Sequence, residues 1–117
     1  MIDEKAVELG RLIGQSPEYQ AVKRSNDALN ADRTAVTLLR QMEDVRVEAQ
    51  RMIENGQNPT PEMEQKLDDL LGQVQGNSAY QRAVAAQENF DKVMLRVNDQ
   101  ILDGIRKGST SSIITLA

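Results

Sequence analysis

The spacing of the apolar residues constrains this chain more than any other feature. Ala35, Leu39, Met42, Val45, Ala49 and Met52 follow one another at intervals of four, three, three, four and three. Phe90, Met94, Val97, Ile101 and Ile105 recur at four, three, four and four. This is the 3.6-residue period of a single helix face, and no period-2 strand fits it. Leu38 and Ile53 widen the first stripe and Val93 the second. The two stripes predict an all-α fold of four to five helices. Two long antiparallel helices, over about residues 32–55 and 78–107, would have shorter helices packed on them.

The punctuation between the stripes supports this division. A first helix is expected from about Asp3 to Ile13, with Val7, Leu9, Leu12 and Ile13 as its apolar side and Gly14 placed to end it. Ser16-Pro17-Glu18 reads as a helix start: an N-cap, a residue tolerated at the first helical position, and an acid at the positive helix end. The second helix then runs to about Asn30 with a thin apolar face of Tyr19, Val22 and Leu29. Asn30-Ala31-Asp32 favours a break, because Asn and Asp both suit caps. A single bent helix is the competing reading. Gly56-Gln57-Asn58-Pro59 is a loop, and Thr60-Pro61-Glu62 repeats the start signal for a fourth helix carrying Met63, Leu67, Leu70, Leu71 and Val74. Gly76-Asn77 ends it, and Ser78 is the expected cap of the fifth helix. Residues 1–107 form one helical domain. Residues 108–117, GSTSSIITLA, lack charge and shift to β-formers, so they read as a separate tail.

Composition limits both the core and the chemistry. With 3% aromatic residues, the core must be built from Leu, Val, Ile, Met and Ala, which suits helices packed side by side. The chain has no His and no Cys. The commonest general base and metal ligand are therefore missing, and neither Ser-His nor Cys-His nucleophilic sites can form. Thiolate zinc and iron–sulfur sites are excluded with them. No Gly-rich loop resembles a phosphate cradle. Carboxylates alone can bind Mg²⁺ or Ca²⁺, and Glu64, Asp68 and Asp69 cluster in sequence, as do Glu4 and Glu8. No Asp-x-Asp-x-Asp-Gly loop accompanies them, and solvated helix faces account for them. The pairs Glu62–Lys66, Glu88–Lys92 and Asp103–Lys107 have the favourable i,i+4 order. No catalytic residue, metal site or cofactor is expected.

The net charge of −4 offers no broad attraction to phosphate backbones or anionic lipid. Arg96, Arg106, Lys107, Lys23 and Arg24 lack interleaved aromatic platforms, so direct nucleic-acid binding is not expected. No run reaches the roughly 18 apolar residues of a membrane span. The N-terminus is charged from its third residue and lacks the apolar core of a signal peptide, which makes the expected location cytoplasmic.

Function is therefore sought in surfaces. The second helix has little to bury, so five helices of this kind leave part of a long stripe uncovered, and a large uncovered stripe marks an interface. The expected interface residues are Leu39, Met42, Val45, Phe90, Met94, Val97, Ile101 and Ile105, and the expected state is a homodimer or larger. The alternative is an accessory module docked through its tail, with Ile113, Ile114 and Leu116 entering a partner's groove.

The order of these elements resembles the YlbF/YmcA family of small bacterial helical proteins. The likeness spans about residues 3–107. It rests on Leu9 to Ile13 followed by SPEYQAVKRSNDALNAD, on Asp32 opening a long helix with Leu39 and Met42, and on GQNPTPEMEQKLDDLLGQVQGNSAYQRAVAAQENFDKVMLRVNDQI. The style is closest to the YheA-like, cysteine-free branch. The resemblance implies a non-enzymatic regulator that self-associates or joins a complex. Characterised relatives are linked to competence, sporulation and biofilm formation, and to mRNA processing through a partner ribonuclease, RNase Y. Some members use cysteines in iron–sulfur binding; this chain has none, so that activity does not carry over.

Overall fold

The computed structural model describes residues 1–116, with side chains to residue 110. It contains α1 (Ile2–Gly14), α2 (Pro17–Ala31), α3 (Arg33–Glu54), α4 (Pro61–Gln75) and α5 (Ser78–Leu116), and no strand among the described residues. Four helix starts are fixed by a side-chain oxygen that accepts a backbone N–H three residues on. Ser16 Oγ accepts from Tyr19 at 3.2 Å, Asp32 Oδ1 from Ala35 at 2.9 Å, and Thr60 Oγ1 from Met63 at 3.1 Å. At α5 the cap is Asn77, whose Oδ1 accepts from Tyr80 at 3.0 Å, and not the expected Ser78. The Asn amide outcompetes the next residue's hydroxyl because its register reaches the third N–H. Thr60→Ala is expected to lower stability by about 1 kcal/mol, read as a shift in the chemical-denaturation midpoint with unchanged slope.

The α2–α3 junction is a true break of one residue. Asp32 leaves helical geometry (φ −83°, ψ 105°), its N–H donates to Leu29 O at 3.2 Å, and its carboxylate caps the next helix. The α3–α4 loop turns on Gly56, whose φ of +77° strains any side-chain-bearing residue.

The far end of α5 departs from expectation. No helix end falls at Lys107: α5 continues through Gly104 and Gly108 to Leu116. Glycine weakens a helix interior by about 1 kcal/mol but does not stop it, whereas the missing hydrogen bond and ring clash of proline do. No proline follows Pro61. Thr110 Oγ1 donates back to Arg106 O at 2.9 Å, keeping the hydroxyl satisfied within the helix.

The long helices each carry a short one. Helix α4 packs along α3, and α2 packs along α5; smaller contacts join α2 to α3, α1 to α2 and α4 to α5. Between α3 and α4 lies a cluster of Leu38, Val45, Leu70 and Val74, flanked by Leu39, Met42, Met63, Leu67 and Tyr80. The α2–α5 contact is built differently. Val22 on α2 and Ala79, Ala83 and Ala86 on α5 are buried. Alanines at intervals of four and three give α5 a narrow, small-side-chain row on one face. Tyr19 and Phe90 close that seam edge to face, with ring centroids 5.3 Å apart. Gln20 Nε2 donates to Gly14 O, and Gln81 Nε2 to Gln75 O, both at 2.8 Å, tying each short turn to the helix that follows.

The result is an elongated molecule. Its radius of gyration is 21.9 Å and its extents are 69 × 36 × 20 Å. A compact domain of this length would have a radius of gyration of about 13 Å.

The exposed ion pairs add little. Arg46 bonds Glu43 through Nε to Oε2 at 2.9 Å, and this hydrogen bond, more than the charge itself, holds the Glu43 carboxyl below its ordinary range. The same partner raises Arg46, and Glu48 raises Arg51. A depressed carboxyl pKa favours the folded state above the ordinary carboxylate range, and that contribution is lost as pH falls through the depressed value. Both Glu43 and Arg46 stand in water, where such pairs count for little. Glu43→Gln should therefore move the melting temperature at neutral pH by less than about 2 °C, with any difference vanishing in acid.

Candidate interaction surface

A single stripe runs the described length of α5: Ala79, Ala83, Ala86, Phe90, Met94, Val97, Ile101 and Ile105, with Val93 beside it. Its first half is the face that receives α2, and its three alanines are buried. Beyond Phe90, α2 has ended, and only the start of the chain lies near. Val93, Met94 and Val97 are half-buried, Ile101 is 45% exposed and Ile105 is 60% exposed. The side chains also grow along the stripe, from buried Ala to half-buried Val and Met and then to exposed Ile.

Helix α1 borders this uncovered half without sealing it. Leu9, Val93, Arg96, Val97, Gln100 and Ile101 line an open groove of about 510 Å³ between α1 and α5. No residue of α1 is buried; Ile2 is 83% exposed and Leu12 62%. A helix of 13 residues is too short to persist in water on its own propensity. Its apolar side requires a surface, and its own chain supplies only part of one.

The structure divides the eight residues singled out from the sequence. Val45 is buried in the α3–α4 cluster, with Leu39 and Met42 half-buried against it. Phe90 packs on Tyr19. Met94, Val97, Ile101 and Ile105 form the uncovered part of the α5 stripe. The two groups are not brought together, because α3 carries α4 and α5 carries α2. Leu9 belongs to the same surface as the α5 group, and Ile2 and Leu12 stand exposed on the same helix. Their helical spacing was visible in the sequence, but nothing there showed α1 lying unburied. The side chains of Ile113, Ile114 and Leu116 lie outside the described residues.

The surface has little polar chemistry to add. Lys107 pairs with Asp103 at 3.1 Å. Glu62–Lys66 and Glu88–Lys92 are not among the ion pairs of the described residues, although their spacing allows it. Asp69 is occupied as acceptor from Gln65 Nε2 at 2.9 Å. Among the described residues no group of three or more His, Cys, Asp or Glu side chains converges as a metal site would require. No helix of the described residues is long and apolar enough to cross a membrane.

Comparison with known proteins places the fold in a family. The sequence profile of Com_YlbF, described as control of competence regulator ComK, YlbF/YmcA, matches residues 2–106. This chain belongs to the Com_YlbF family. Its matched span runs from the start of α1 into the uncovered half of α5, so the whole arrangement around the groove lies within it. A UPF0342 protein of Streptococcus sanguinis SK36 is similar at 28% identity over 105 residues, covering 90% of this chain and 94% of the relative. A UPF0342 protein of Streptococcus pneumoniae Hungary19A-6 is 32% identical over 89 residues, 76% of this chain and 80% of the relative. A third, from Leuconostoc citreum KM20, is 24% identical over 98 residues, 84% and 83% of the two chains. All three relatives are bacterial, and membership of Com_YlbF ties the chain to a family described by competence regulation.

Proposed function

We propose that this Com_YlbF protein is a non-enzymatic regulator of the cytoplasm that works by helix-mediated self-association and by binding protein partners. The observation that carries the reading is the second half of the α5 stripe. Apolar side chains at helical spacing stand in water beside an unburied amphipathic helix, within a family described by regulation. An apolar surface of this extent is costly to leave wet and is retained where a protein binds it. The chain lacks the residues that most catalytic sites depend on, and the groove beside α1 is apolar with only Arg96 and Gln100 as polar lining. RNA processing is the outlet we favour, reached through a ribonuclease-associated complex and not through direct contact with nucleic acid. The net charge of −4 and the absence of stacking platforms both disfavour direct contact.

The test is affinity capture of the full-length chain from its native cytosol, with Ile101→Asp as the matched control. A ribonuclease or a second Com_YlbF chain recovered with the native sequence and lost with the variant supports the reading. Recovery of the same proteins by both forms contradicts it.

A further inference from the structure

A second apolar surface lies on the α3–α4 pair, away from the α5 stripe. Among the described residues, none from 46 to 69 is buried, although this stretch holds Ala49, Met52, Ile53, Met63 and Leu67. A groove of about 180 Å³ opens there. Val45 and Ala49 of α3, with Pro59, Met63 and Leu67, form its apolar walls, and Arg46 and Glu64 are its two charged residues. Ile53 follows Ala49 by one turn and is 55% exposed, so the apolar surface continues along α3 beyond the groove. From Met42 to Ile53 this side of α3 spans about three helical turns. The thioether of Met63 is unbranched and adapts to the shape of whatever side chain enters.

The charges around the groove name its occupant. Helix α4 sets Glu62, Glu64, Asp68 and Asp69 against the single cation Lys66, a net of −3 in a chain of −4, while α3 is balanced. Lys66 lines a different hollow, with Asp44 and Glu48. Arg46 at the groove is already paired with Glu43, whereas Glu62, Glu64 and Asp68 enter no ion pair among the described residues. Asp68 stands one turn from Glu64. The charge left unanswered at the groove is therefore negative, and a cationic partner complements it. The walls are almost wholly helical, and a helix's backbone is bonded to itself, so no open edge can receive a strand. An occupant that brings its own hydrogen bonds is a helix. We propose that this groove binds an amphipathic helix of a partner protein whose apolar residues are flanked by lysine and arginine. The inference deepens the partner-binding reading above and rests on it, and it is independent of self-association.

The probes are two fluorescein-labelled peptides of about 18 residues, one of Leu and Lys at helical spacing and one of Leu and Glu in the same pattern. Fluorescence anisotropy measures their binding to the full-length chain, to Glu64→Lys/Asp68→Lys, and to Glu88→Lys/Asp99→Lys. The last variant makes the same charge change at exposed positions of α5. Circular dichroism confirms native helix content in each. The Leu–Lys peptide is expected to bind the native chain, and the Leu–Glu peptide at least about tenfold more weakly. Glu64→Lys/Asp68→Lys should weaken the Leu–Lys peptide at least about tenfold, and the α5 variant by no more than about twofold. The chain has five methionines, so methyl resonances locate the bound peptide. The expected result is a shift at Met63 and none at Met94. Equal weakening by both variants, or a shift at Met94 in place of Met63, would overturn the groove and leave partner binding through another surface standing. A native chain that binds neither peptide would also overturn it, and the capture experiment above decides separately whether partner binding falls with it.

Discussion

Leu70→Ala lowers folding stability by about 2–4 kcal/mol, and the loss appears as a fall in the denaturation midpoint without a change of slope. Leu70 is 6% exposed and packs with Leu38, Val45 and Val74 in the cluster between α3 and α4. Truncation removes three heavy atoms from a site whose other walls come largely from α3 and α4, two helices held by side-chain caps. The cavity cannot collapse far, which puts the cost above simple transfer of the lost methyls. Leu102→Ala is the internal comparison. Leu102 is 50% exposed, and its truncation should stay within about 0.5 kcal/mol. Both measurements need the same protein concentration, since association adds to apparent stability.

Ile101→Asp separates folding from association. Ile101 is 45% exposed in the single chain, so a carboxylate there keeps its water and leaves helix content unchanged. In the proposed self-association it would be desolvated against an apolar surface. An unpaired buried charge costs about 3–5 kcal/mol, which weakens association by at least about 100-fold. Sedimentation velocity across a concentration series measures this. Loss of helix content alongside loss of association would mean that Ile101 holds the single chain together.

Most of the helical architecture was legible because capping and periodicity are local. Ser16-Pro17, Asp32 and Thr60-Pro61 start helices where their chemistry says they should. The Asn77 cap was one residue from expectation, within the ambiguity of two adjacent polar residues that can both cap. The end of α5 was missed for a different reason. Gly108 and the uncharged residues after it look like a stop, but only a proline or a competing contact forces one, and residues 108–116 contain no proline.

What periodicity could not reveal is which stripe meets which. Leu39, Met42 and Val45 have the same signature as Ile101 and Ile105, yet the first group packs in the α3–α4 cluster while Ile101 and Ile105 stand 45% and 60% exposed. Pairing of helices depends on turn geometry at single residues such as Asp32, which a periodicity argument does not see. Conversely, the alanines of α5 look unremarkable as sequence and prove to be buried, on the helix against which α2 packs.

The exposed end of the α5 stripe calls for a second molecule to cover it. Static light scattering of the full-length native protein over the micromolar range, which reads mass independently of the elongated shape, tests this most directly. The prediction is a mass of at least twice 13.0 kDa. A concentration-independent mass of 13.0 kDa would contradict it and leave the α5 stripe without the partner proposed for it.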